Sequence, residues 1–579
     1  MKLYSKFFII QAIIIVCSVQ DAKAQKTVFE KTNGIETSTY PEVINFYRML
    51  AHGSDQIKIE TGGLTDAGIP LHTVLVNSEK KFSPKQWHDQ KKVVIMILNG
   101  IHPGEPDGID ACMMLVRDIA AKKIILPKNI ALAIIPVYNI GGALNRSAFS
   151  RVNQDGPSEY GFRGNAQNLD LNRDFIKSDS KNARSFAEIF HEISPDIFID
   201  NHVSDGADYQ HTMTLITGQY NKMGNILGEW VKKVFDPALF KGMKDKNHDM
   251  VPYVNAEGSD PASGFTQFYD EPRYSTGFAT LFNAISYMPE THMLKPYKLR
   301  VMATYDLMKT FIETANYHAQ TIIQKRNEAI AFTTSQKNFT LKWEVDSSKF
   351  DLIPFKGYEA SSLISDVTGK PVLFYDHSKP FTKQIPYYDY YKPVKTVKAP
   401  KSYIVPQGWW TVLDLLKLNN VEMRRFTADT SIEVTVTRIE SYKSLPFPYE
   451  KHHKNNDVTT SETKEVIHFR KGDYLINLDQ NGNRYLVETL EPTGDDGFFA
   501  WNFFDAVLQQ KEGYSEYRWN AVAEDFLKNN PDVKKLFEEK KKSDTAFANN
   551  PSAQFRFVYR HSPWYEPAHM RYPIFKIME

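Results

Sequence analysis

His102 and Glu105 stand three residues apart in Asn99-Gly100-Ile101-His102-Pro103-Gly104-Glu105-Pro106-Asp107-Gly108, where Pro103 and Gly104 supply a tight turn. An imidazole nitrogen and a carboxylate oxygen aimed at one point make half of a zinc site. That phrase alone is a weak signal, because a surface turn has the same composition. Two other places add weight to it. Asp196-Ile197-Phe198-Ile199-Asp200-Asn201-His202 is an apolar run that ends on a histidine, and Ile285-Ser286-Tyr287-Met288-Pro289-Glu290 is one that ends on a carboxylate. Two histidines and one carboxylate leave a zinc ion an open position for water, the pattern of catalytic sites, and a remaining carboxylate is then available as general base. A fourth phrase is Arg163-Gly164-Asn165-Ala166-Gln167-Asn168-Leu169-Asp170-Leu171-Asn172-Arg173-Asp174-Phe175. Its Asn172-Arg173 pair offers a planar fork for a carboxylate, and another arginine lies close by in sequence.

These residues need a sheet edge to bring them together. From about residue 92 to 293, short apolar runs alternate with amphipathic stretches, which predicts an α/β domain with a mixed, mostly parallel sheet flanked by helices. Strands are expected at Val93–Leu98, Ile130–Val137, Asp196–Asp200 and Ala284–Met288, and helices at Asp107–Ala121 and Asn182–Ile193. The His102 phrase follows one strand and precedes a helix, so it occupies the strand's C-terminal end, where open α/β sheets bind ligands. Cys112 falls on the buried stripe of the first helix and reads as a core residue.

The rest of the chain divides around this domain. Residues 25–90 read as an N-terminal extension with a helix near Pro41–Ala51 and a strand near Leu71–Val76, and residues 91–330 as the catalytic domain, closing with a helical stretch at Leu299–Ile330. Residues 335–579 are rich in Tyr, Phe, Lys and Pro and read as a C-terminal α+β region of unknown role. Strands are expected there at Ile432–Ile439 and Tyr485–Leu490, with helices at Trp409–Leu418 and Asp532–Lys541. Lys451–Glu465, with its His452-His453 pair, reads as a solvated loop, and Lys540-Lys541-Lys542 as a solvated helix end.

Lys2 and Lys6 precede the apolar run Phe7–Val19, followed by Asp21-Ala22-Lys23-Ala24-Gln25. This is the order of a secretory signal peptide over residues 1–24, cut after Ala24, and the run is shorter than the ~20 residues of a membrane span. Cys17 follows Ile14-Ile15-Val16, which does not suit a lipoprotein. The mature protein is therefore expected to be exported, periplasmic or extracellular, with no membrane span. Cleavage removes three lysines, one aspartate and one of the two cysteines, moving the formal charge from +1 to −1 and leaving Cys112 without an intramolecular partner. With 70 basic and 69 acidic side chains in 579 residues, the balance disfavours a nucleic-acid partner or an anionic membrane.

His-Pro-Gly-Glu, then Asp-Leu-Asn-Arg-Asp-Phe, then a strand-ending histidine and a strand-ending glutamate, in that order, resemble the zinc carboxypeptidases, the carboxypeptidase A-like metallopeptidases, over roughly residues 40–325. The resemblance implies that fold and one zinc ion per chain held by His102, Glu105 and His202, with Glu290 as general base. It implies that Asn172 and Arg173 hold the terminal carboxylate of a peptide substrate. Arg163 best matches the arginine that polarises the scissile carbonyl, ahead of Arg151 and Arg146. Tyr269 best fits the tyrosine that closes over the substrate, with Tyr274 and Tyr287 as alternatives. His292 reads as a substrate contact or as a supporting residue. A carboxypeptidase activity is implied, with an amidase acting on peptidoglycan stem peptides or N-acyl amino acids as the alternative. A binding protein using Trp409-Trp410 and Phe498-Phe499-Ala500-Trp501 as platforms is disfavoured, because every ligand and the base are present. The residue at the base of the specificity pocket is expected between about 249 and 280.

Overall fold

Apolar runs without polar alternation become the inner strands, because a parallel sheet is covered on both faces. The computed structural model describes residues 25–204, 206–256 and 259–578, so the leader read over residues 1–24 lies outside it. The main sheet contains β1 (Ile57–Leu64), β2 (Pro70–Val76), β3 (Val93–Asn99), β4 (Ile130–Ile135), β5 (Ile197–Ser204), β6 (Met213–Thr217) and β7 (Val251–Pro252). The two-residue β8 (Phe265–Thr266) pairs outside it, and β9 (Ile285–His292) completes the eight strands in the order β1-β2-β4-β3-β5-β9-β6-β7. The four inner strands β4, β3, β5 and β9 run parallel, while β2 and β6 pair antiparallel with them on either side. The segment read as an N-terminal extension thus supplies β1 and β2 to the sheet that carries the site.

From β3 the chain crosses to β4 on one side, and β5 returns to the other side of β3. Strand order reverses there, opening the sheet's C-terminal edge between the end of β3 and the end of β5. The helix Asp107–Ala120 lies wholly buried behind this edge. Ile109, Cys112, Met113 and Val116 belong to the same core as β3, while Ala111 and Met114 pack with Tyr297 and Val301 of the helix Tyr297–Tyr317. Cys112 is buried and free, as expected.

Beyond Ser335 the strand pair Asn338–Val345 and Tyr391–Lys398, the hairpin Asp351–Ile364 with Pro371–Tyr388, and a six-stranded sheet follow. The six-stranded sheet includes a long hairpin of Thr430–Ser444 with Asn455–Phe469. One apolar core runs continuously from Tyr40 to Ile574, and Phe282 meets Tyr485 across it at a ring distance of 5.4 Å. The fold is thus a mixed, mostly parallel sheet flanked by helices, with further sheets.

Two local expectations change. Tyr485–Leu490 is not a strand but part of the helix Asn483–Leu490, because a short apolar run buried on all sides carries no period that separates strand from helix. Most of Lys451–Glu465 is not a loop but strand, where Thr, Val and charged residues alternate on a largely solvated hairpin. Phe498, Phe499 and Trp501 are fully buried, so they form core and not a platform. Among the described residues, no helix is long and apolar enough to cross a membrane.

Candidate active site

After β3 the backbone turns through Gly100, whose φ of 68° favours glycine, and the His102 carbonyl accepts from the Glu105 N–H at 2.9 Å. This turn brings the two side chains to one side, with His102 Nδ1 3.2 Å from Glu105 Oε1. Gly104 has no room for a side chain, since an added Cβ would meet Arg151 Cδ at 2.7 Å. The third group comes from β5, where the parallel register sets His202 opposite Glu290 of β9. His202 Nδ1 lies 2.9 Å from Glu105 Oε2, and the Val203 N–H donates to the same oxygen at 3.0 Å.

Both imidazoles are fixed from behind. His102 Nε2 pairs with Asp170 Oδ1 at 2.9 Å, and His202 Nε2 with Asp200 Oδ2 at 2.8 Å, where Ser275 Oγ also donates at 2.5 Å. A carboxylate on Nε2 holds the proton there and turns Nδ1 inward as a lone-pair donor, the arrangement by which metal-binding histidines are oriented. His102 Nδ1 is buried without a hydrogen-bond partner. One donor atom each from His102, Glu105 and His202 lies within 4.8 Å of the others, and all three residues are buried. Two nitrogens and one carboxylate oxygen are the donor set of a catalytic zinc site, so the residues fit the ion that the sequence implied.

The charges of these residues act strongly on one another. Burial favours the neutral form of Glu105, yet Arg151 and then His102 hold its carboxyl well below the usual range. Asp170 is also pulled far down against its burial, by His102 first and then Arg163 and Arg173. Burial disfavours the charged form of His202, but Asp200 and Glu105 outweigh it and raise the imidazole well above its ordinary value. Glu290 shows the opposite balance. Burial pushes it up to about 8, opposed by His202 and reinforced by the negative charges of Glu105 and Asp200.

These groups face a cavity of about 150 Å³. His102, Glu105, His202 and Glu290 line its polar wall together with Arg163, Asn172 and Arg173. Ile216, Met288, Tyr253, Phe268 and Tyr274 line the remainder, three of them from the irregular stretch expected to hold the pocket's base. Arg163 bonds Asp170 through Nε at 2.9 Å and approaches Glu105 to 3.7 Å. Arg151 is committed to Glu105 at 2.7 Å, and Arg146 to the Glu159 carbonyl at 2.9 Å. Asn172 accepts from the Ser275 N–H at 3.1 Å, and the Arg173 guanidinium sits 4.5 Å from the centre of the Tyr274 ring.

Tyr269 is not brought to the cavity. Its ring stacks on Tyr391 at 5.4 Å with Lys222 Nζ over it, because sequence distance from Glu290 does not fix which way a residue of an irregular segment faces. Tyr274 takes the position beside Arg173, while Tyr287 is buried against Asp236. His292 turns away to Asp208 at 3.0 Å and stacks on Tyr209 at 4.1 Å. Asp170 and Asp200 were missed as supports for the histidines. Their signals were present, one inside the Asp-Leu-Asn-Arg phrase and the other two residues before His202, on the same side of a strand.

No family model matches the chain. Among curated proteins, carboxypeptidase 2 of Trichophyton rubrum is 21% identical over 433 residues, covering 71% of this chain and 74% of that protein. Carboxypeptidase 2 of Trichophyton equinum is 22% identical over the same length, with the same coverage of each. Among solved structures, carboxypeptidase A from Helicoverpa armigera is 13% identical with a TM-score of 0.38, covering 53% of this chain and 81% of that one. The chain is thus similar to curated carboxypeptidases over seven-tenths of its length, and the ordered phrases of its sequence converge on one sheet edge.

Proposed function

We propose that the protein is a zinc-dependent metallopeptidase that releases residues one at a time from the carboxyl end of peptides. The observation that carries this reading is a single small cavity lined at once by a His-Glu-His donor set, a buried glutamate and the Asn172-Arg173 pair. A donor set and a base suffice for hydrolysis. A fixed guanidinium and amide beside them add recognition of a free carboxylate, which turns hydrolysis towards the chain end. The curated relatives named carboxypeptidase 2 support the same activity.

His102 and His202 through Nδ1 and Glu105 through its carboxylate would hold zinc, which supplies a Lewis acid and a water acidified towards neutrality. Glu290 takes a proton from the attacking water and returns it to the leaving nitrogen. For that it must be ionised, and a dication alongside lowers its raised pKa. Arg163 donates to the carbonyl oxygen as negative charge develops on it. Asn172 and Arg173 bind the terminal carboxylate and set the register of the chain, so that the last peptide bond reaches Glu290. The apolar wall of Ile216, Met288 and Phe268 suits a neutral, apolar terminal side chain over a charged one, because a charge there would be desolvated without a partner. The order of residues 2–24 supports action outside the cytoplasm.

The test is a liberated-residue profile from an unblocked peptide library, with each peptide also supplied as its C-terminal amide. Release of apolar residues from free-acid peptides and not from amides is the expected result. Equal cleavage of both forms, or cleavage confined to peptidoglycan stem peptides, would favour the amidase.

A further inference from the structure

The strands Thr430–Ser444 and Asn455–Phe469 extend through residues 445–454 into a tip that reaches the Asp170–Asp179 segment. Tyr449 and His452 close this tip with reciprocal backbone hydrogen bonds of 2.8 and 3.1 Å. The two residues between them, Glu450 and Lys451, have φ of 47° and 76°. The type I′ two-residue hairpin turn requires positive φ at both central positions, which is costly for residues other than glycine and persists where surrounding contacts hold it. Those contacts lie on the catalytic side of the molecule. A Glu450 carboxylate oxygen accepts from the Asp170 N–H at 2.9 Å, and His452 pairs with Asp179 at 2.7 Å. Asp179 in turn holds the buried Lys177 at 2.9 Å.

At the centre of this contact, Arg173 Nε donates to the Tyr449 hydroxyl at 3.1 Å. Arg173 Nη1 donates to the Asn172 carbonyl at 2.9 Å, and the guanidinium plane rests on Tyr274. Nε is thereby committed to the C-terminal region, while Arg173 lines the cavity. Tyr449 is itself fixed, with its ring stacked at 6.0 Å and 19° on the fully buried Trp501.

We propose that Tyr449 is a positioning residue for Arg173, so that the C-terminal region completes the site for the substrate's terminal carboxylate. The inference rests on the reading of Arg173 as the carboxylate holder. A long arginine side chain has several rotamers, and a hydroxyl on Nε selects the one that presents the fork to the cavity. The effect belongs to binding, since the carboxylate is held alike in ground and transition states.

The experiment uses the full-length, zinc-loaded protein and an N-blocked dipeptide ending in free phenylalanine. Tyr449→Phe keeps the ring on Trp501 and removes the hydroxyl. KM is expected to rise about five- to tenfold with kcat changed less than about twofold, the size of one ordinary hydrogen bond. In an Arg173→Ala background the same substitution is expected to have no further effect. An unchanged KM in Tyr449→Phe, or an equal loss in both backgrounds, would overturn the proposal while leaving Arg173 in place. If Arg173→Ala itself leaves KM unchanged, the carboxylate reading falls, and the positioning role with it.

Discussion

The two sides of the cavity are built on different length scales. On the donor side, His202 is oriented by Asp200 two residues away on the same strand, and His102 meets Glu105 within one turn. On the fork side, Arg173 is bonded to a tyrosine 276 residues further along the chain. Both sides meet at Asp170, which takes the His102 imidazole on its carboxylate and gives its backbone N–H to Glu450. A site assembled from strand ends tolerates much change elsewhere, because each ligand is positioned by its own element. A site closed by a distant hairpin inherits every weakness of that hairpin's docking.

The donor side should therefore break completely and locally. Glu290→Gln preserves shape and removes the proposed base, and turnover is expected to fall by about 10²–10⁴-fold with zinc retained at one ion per chain. Metal analysis alongside initial rates checks this, and near-normal rates in a zinc-loaded variant would remove Glu290 from the mechanism. Removing the metal with a chelator should abolish turnover in the native protein, with recovery on zinc addition.

Asp200→Asn probes the support behind the ligand and should have an intermediate effect. The amide cannot hold the Nε2 proton as a carboxylate does, so Nδ1 of His202 becomes a weaker and less well oriented donor. Zinc affinity is expected to drop about 10–100-fold, with turnover largely restored at saturating zinc. Competition with a chelating dye measures the affinity, and an unchanged value would show that β5 orients His202 without its carboxylate partner.

The same contrast explains what could be read from residues alone. The apolar runs of β3, β5 and β9 and the charged residues at their ends carry their own period and position, so the sheet edge and the donor set were legible. Tyr274 was not separable from Tyr269, because both lie between β8 and the helix Ser275–Leu281, in an irregular stretch with no period to assign a facing direction. Tyr485 sits in an apolar run that fits helix or strand equally well until packing against Phe282 is known. The hairpin tip was least legible. Its polar residues resemble any solvated loop, and what distinguishes Glu450 and His452 is a set of partners almost 300 positions earlier, at Asp170 and Asp179.

The docking of that tip should carry the smallest effect and a definite dependence on pH. Burial acts to raise Asp179, but its hydrogen bonds and charges from His452 and Lys177 bring it down to about 2, against 3.8 for a free aspartate. A carboxyl lowered by folding contributes its stabilisation in full above pH 3.8 and loses it as pH falls through about 2. Asp110 and Asp236, raised to about 6 by burial, act in the opposite sense. Their preference for the folded state is complete below pH 3.8 and is lost as pH rises through 6. Acid should therefore loosen the tip before it weakens the surroundings of those two aspartates. The amide protons of Tyr449 and His452, bonded only across the tip turn, report this directly. Against Asp179→Asn, the native protein is expected to protect them about tenfold better near pH 6, or about 1–2 kcal/mol, with the difference vanishing towards pH 2. A difference independent of pH would mean that the tip is held by Tyr449 stacking on Trp501 and by Glu450, and that Asp179 contributes shape without charge.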